Sequence, residues 1–133
     1  MTRMRLQLPA DATSCRAARE FIGRLKDSIP EAVLRDMELA ADELVTQSVL
    51  VVPPASDRLT FEIAVTRDEV TIAVEDVADP LGPHPVTADD SATLGLVVVD
   101  QVADRWGMEE HGEVIRTWAT FVLPSPANNT LAS

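Results

Sequence analysis

Apolar and polar residues repeat along this chain at two periods, two and about 3.6, and each switch of period marks a new element. Met4, Leu6 and Leu8 alternate with Arg3, Arg5 and Gln7, which predicts a strand that Pro9 closes. Between Asp11 and Lys26 the apolar residues Cys15, Ala18, Phe21, Ile22 and Leu25 fall at helical spacing, with Asp11 or Thr13 as the cap. Pro30 can open a second helix, because the first turn of a helix does not use that N–H. Its packing stripe is Leu34, Met37, Ala41, Leu44, Val45 and Ser48. Glu43 and Gln47 lie off that stripe, one helical turn apart, on a face shared with Asp36 and Ala40. Pro53-Pro54 ends the element.

Period two then returns. Leu59, Phe61, Ile63 and Val65, the turn Arg67-Asp68-Glu69, and Val70, Ile72 and Val74 predict a hairpin with one buried face. Strands near residues 59–66, 69–76 and 114–122 should share a sheet. The same period sets Asp76 on the buried face, unless the strand stops short and the carboxylate turns to solvent. Residues 78–91 contain three prolines and read as a lid or flexible loop. Ala92 to Val102 is apolar on most sides and predicts a largely buried helix. Trp106 to Met108 and Val114 to Val122 form a last hairpin around Glu109-Glu110-His111-Gly112, with Trp106 and Trp118 as core aromatics. This order predicts an α+β fold: a two-layer sandwich with a mixed, mostly antiparallel sheet covered on one face by three helices. Residues 1–123 read as one domain and 124–133 as a flexible tail.

Composition narrows the function classes. With 46% hydrophobic residues in 133, the chain can bury a core of its own. No apolar run approaches the roughly 20 residues that span a bilayer, and the first residues lack a signal-peptide core. A lone Cys15 leaves no internal disulfide, which suits a reducing cytoplasm. The net charge of −11 argues against binding a nucleic-acid backbone and favours either simple solubility or a basic protein partner. His84 and His111 are isolated, without metal-ligand spacing.

The candidate chemistry lies in Asp42-Glu43-Leu44-Val45-Thr46-Gln47-Ser48, in Asp76, and in Thr93-Leu94-Gly95-Leu96. On spacing alone, Glu43 and Gln47 also fit a solvated helix face, and Gly95 also fits a packing glycine. Together with the tail Ala103-Asp104-Arg105-Trp106-Gly107, the ordered set resembles the ATP-binding domain of the anti-sigma-factor serine kinases, relatives of histidine kinases and gyrase-type ATPases. The resemblance runs from Leu6 to Leu123 and implies the Bergerat-type sandwich. It implies that Glu43 is the general base towards a partner's serine and that Gln47 stands where the family ligates Mg²⁺ through Asn. It also implies that Asp76 meets the adenine amino group, with Ala78, Thr93, Gly95, Leu96 and Thr117 lining the nucleotide site and Arg116 in place of a family Lys. Gln47, Ala78 and Thr93 depart from the family's Asn and two glycines, so the pocket reads as degenerate. ATP and Mg²⁺ are the implied cofactors. The implied partners are a sigma factor or its antagonist, contacted around Arg16, Arg19 and the lid, and a second copy of the chain. The alternative is a binding-only relative that has lost catalysis.

Overall fold

The computed structural model describes residues 1–9, 11, 13–48, 58–77 and 96–124. Its elements are β1 (Thr2–Pro9), α1 (Ser14–Gly23), α2 (Glu31–Thr46), β2 (Arg58–Val65), β3 (Glu69–Val77), α3 (Val97–Val102), β4 (Arg105–His111) and β5 (Val114–Val122). The strands form one sheet in the order β1-β2-β3-β5-β4. Every pairing in it is antiparallel, so the expected mixed sheet is here a purely antiparallel one. Antiparallel neighbours need only tight turns, and both hairpins supply one. Thr66 bridges to Glu69 through its backbone and hydroxyl, and Gly112 takes the positive φ (66°) that a side chain would disfavour.

Register fixes which side chains meet the helices. Met4, Ile63, Ile72, Ala119 and Trp106 lie in one row across the sheet, and Leu6, Phe61, Val74, Thr117 and Met108 in the next. Leu8, Phe61, Ile63, Ile72 and Val74 from these strands pack against Ile22, Met37, Leu44 and Val45 of the helices in one core. Phe21 meets Phe61 edge to face, with ring centroids 6.2 Å apart. β1 thus covers the domain's own core with Leu8 buried and Met4 and Leu6 packed at its margin.

Three expectations shift. Helix α1 is shorter than Asp11 to Lys26, and the chain from Arg24 to Ser28 continues as turns. Asp11 precedes the helix and accepts from the Thr13 N–H (2.8 Å) and hydroxyl (2.5 Å). These bonds, the hydroxyl first, hold its carboxyl below the usual carboxylate range. Helix α3 is described only from Val97, and it is not buried on most sides: Val99 is enclosed, Val97 exposed. Trp118 is not a core residue. Register puts it on the sheet face away from the helices, over Gly107, while Trp106 packs against the core and donates its indole N–H to Asp100 (2.8 Å).

The helix-free face of the sheet carries a charged network. Glu62 is only 4% exposed, and Arg3, Arg5 and Arg116 converge on it at 3.7, 3.4 and 3.1 Å. Arg5 and Arg116 also reach Glu75, at 3.1 and 2.8 Å. A carboxylate this enclosed needs such partners.

Candidate functional site

Helix α2 packs on α1, α3, β3 and β5, which makes it the scaffold of the site. Its main stripe is buried as the periodicity requires, through Leu34, Met37, Ala41, Leu44 and Val45. The second face is not a solvated one. Ala40 is fully buried and Gln47 is 7% exposed, with Glu43 half-buried between them. The amide one turn beyond Glu43 is therefore drawn out of water. The helix ends there in a π-type turn at Gln47 and Ser48, with the Gln47 N–H shared by the carbonyls of Glu43 and Leu44.

The buried Oε1 of Gln47 has no hydrogen-bond partner among the described residues. Enclosing an amide carbonyl unmatched is costly, typically about 1–3 kcal/mol, so it is suited to accept from a donor or a cation. That is the observation against which an Mg²⁺ ligand can be tested, and the residue fits in donor type. Burial pushes the Glu43 carboxyl up from its ordinary value, and the adjacent Asp42 charge pushes it further. A carboxylate made more basic in this way is a better proton acceptor.

On the sheet, β3 runs through Asp76 to Val77, and Asp76 is 8% exposed on the helix-side face. The strand therefore does not stop short of it. Thr117 is buried on the same face, opposite Val74, and is diagonal to Asp76, which pairs with Ile115. Leu96 is buried just ahead of α3. Gln47, Asp76, Leu96 and Thr117 are thus buried, with Glu43 half-buried one turn before Gln47. Ala78, Thr93, Gly95 and the 78–91 lid lie outside the described residues, as does the tail beyond Pro124. Arg116 does not join the site. Alternation sends it to the opposite face, where Glu75 and Glu62 hold it.

The sequence reading did not find one feature of the site. Arg19 of α1 donates to Asp42 at 2.8 Å, immediately beside Glu43. One turn earlier, the Cys15 sulfur lies 3.8 Å from the Asp42 carbonyl and 3.5 Å from the Thr46 hydroxyl. The i, i+4 spacing of Cys15 and Arg19 was visible, but pairing across helices is not encoded in either helix alone. Among the described residues no group of three or more His, Cys, Asp or Glu could hold a metal ion, and no helix is long and apolar enough to cross a membrane.

No protein-family model matches this chain, and no curated protein does. Among solved structures, it is similar to the RsbU and RsbW domains of Rv1364c from Mycobacterium tuberculosis, with a TM-score of 0.70 and 15% identity. The match covers 94% of this chain and 34% of that one. At that identity the likeness establishes a shared fold, an α+β sandwich of an antiparallel sheet and three helices.

Proposed function

We propose that this chain is a cytoplasmic, partner-switching regulator of the anti-sigma type, which binds a sigma factor or its antagonist. The carrying observation is the half-buried Glu43, raised in basicity, one turn from the buried Gln47 carbonyl on a sandwich that also buries Asp76 and Thr117. In this reading Asp76 and Thr117 would hold the base of ATP, and Gln47 is the residue that would ligate Mg²⁺, which would supply charge neutralisation at the phosphates. Glu43 accepts the proton of an antagonist's serine as that oxygen bonds the γ-phosphorus and ADP leaves.

A second reading, a binding-only relative, is favoured by Gln47 itself. Its carbonyl stands one methylene further out than that of an asparagine, and Mg²⁺ tolerates little departure from octahedral geometry. Calorimetric titration with ATP and Mg²⁺ separates the two. Weak or Mg²⁺-independent binding is expected. Gln47→Asn with Thr93→Gly should strengthen it by about 1–3 kcal/mol if one or two charge-assisted hydrogen bonds return. Micromolar binding by the unmodified chain, with no gain in the double variant, would show an intact pocket. The helix-free sheet face, with its intermixed arginines and glutamates, is the surface we assign to a second copy.

A further inference from the structure

The α1–α2 connection, the β2–β3 turn and the end of β5 meet around an open cavity of about 250 Å³. Pro30 lines it at the start of α2, roughly 25 Å along that helix from Gln47 at the usual rise per residue, so the cavity is separate from the candidate site. Its walls are apolar. Ile29 (3% exposed), Val65 and Leu123 supply aliphatic side chains from three different segments. Hydrogen-bond donors within it are nearly exhausted. Pro30 and Pro124 have no N–H, and the N–H groups of Ser28 and Ile29 both go to the Leu25 carbonyl at 2.9 Å. The Leu123 N–H goes to the Asp68 carbonyl at 2.8 Å, and Thr66 gives both its N–H and its hydroxyl to the Glu69 carbonyl.

Two side-chain donors are left over, the Ser28 hydroxyl and the Arg67 guanidinium, both without a partner among the described residues. Arg67 stands apart in this from the other arginines, each of which meets a carboxylate, an aromatic ring or another partner. We propose that the cavity binds a small carboxylate with a short hydrocarbon body, the chain lying against Ile29, Val65 and Leu123 and the head accepting from Arg67 and Ser28. The volume is below the range typical of drug-sized ligands, which favours a body of about four to six carbons. A carboxylate matches the planar guanidinium with two parallel bonds, and it carries a single charge, which apolar walls tolerate better than a phosphate's two. Asp27 and Asp68 adjoin the lining in sequence but are not part of it. They oppose an anion from outside, so charge alone does not hold the ligand and the hydrocarbon contact is required.

Methyl-detected NMR titration of the full chain with hexanoate tests this. The methyl signals of Ile29, Val65 and Leu123 should shift together and saturate at roughly millimolar ligand, as suits a molecule of so few atoms. Hexanol, which keeps the chain and loses the charge, and acetate, which keeps the charge and loses the chain, should each bind about three- to tenfold more weakly. Arg67→Gln, a change at an exposed side chain, should weaken hexanoate by a similar factor and leave hexanol unchanged. Glu43→Gln should alter neither. The proposal is overturned by hexanoate shifts that do not saturate or that scatter over the surface, by hexanol binding as tightly as hexanoate, or by undiminished hexanoate binding in Arg67→Gln.

Discussion

A carboxylate that is harder to ionise when folded makes its own contribution to pH dependence. Glu43 binds its proton more tightly in the folded chain than in the unfolded one. Stability from this group is therefore greatest at low pH and is lost as pH rises from the ordinary glutamate value through the raised one. Glu43→Gln should accordingly raise Tm at pH 7 and lose that advantage near pH 4, as paired thermal melts would show. Asp11 has the opposite sign: its depressed carboxyl contributes above the ordinary aspartate value and fades as pH falls. Gly107 makes a steric case. A Cβ built there would approach the Trp118 ring at 3.0 Å, and the ring lies flat on the strand where only a glycine leaves room. Gly107→Ala should cost about 1–3 kcal/mol in urea unfolding, less if the partly buried Trp118 ring swings outward, which a changed Trp fluorescence maximum would report.

Element by element, what could be read from the pattern depended on whether one period governed the segment. The hairpin pairings were legible, since alternation specifies both pairing and face, but Glu109, Glu110 and His111, read as the last turn, extend β4 instead. Asp76 was placed on the buried face by counting in twos, and the structure agrees. The same count separates Arg116 from Thr117, so an Arg116 standing for the family's Lys cannot share a face with Thr117. Burial of Gln47 was not legible, because it depends on tertiary packing at the end of α2 rather than on the period of the helix. Glu62 was equally hidden: an outward strand position reads as solvated until arginines from β1 and β5 close over it. Arg116→Met should destabilise the sheet by about 1–3 kcal/mol. A cycle with Glu75→Gln should reveal coupling, because Arg116 bonds both carboxylates at once.

Over the whole molecule, charge is distributed unequally between the two layers. Register places five of the eleven basic residues, Arg3, Arg5, Arg58, Arg105 and Arg116, on the helix-free face, with Glu62, Glu69, Glu75 and Glu109. That face carries +1, so the other six basic and eighteen acidic residues leave −12 for the rest of the chain. A second copy meets least repulsion sheet to sheet, whereas pairing along the free edge of β1 would bring its own Arg3 and Arg5 against their copies. If the proposed second copy docks on this face, light scattering should find a dimer that Arg3→Glu with Arg105→Glu abolishes and Arg35→Glu on α2 does not; a monomeric parent chain would overturn the proposed pairing, and the reverse result would move it to the helices. The strand order also has a consequence in time. β1 ends at Pro9 but its partner β2 starts at Arg58, whereas β2–β3 and β4–β5 join neighbours a few residues apart. Closing the long loop costs entropy before any ladder bond returns it. Pulse-labelled hydrogen exchange during refolding should protect the two hairpins first and the amides of Arg3 to Leu8 last, so a nascent chain carries an unpaired Met4-Arg5-Leu6-Gln7-Leu8 until β2 has been made.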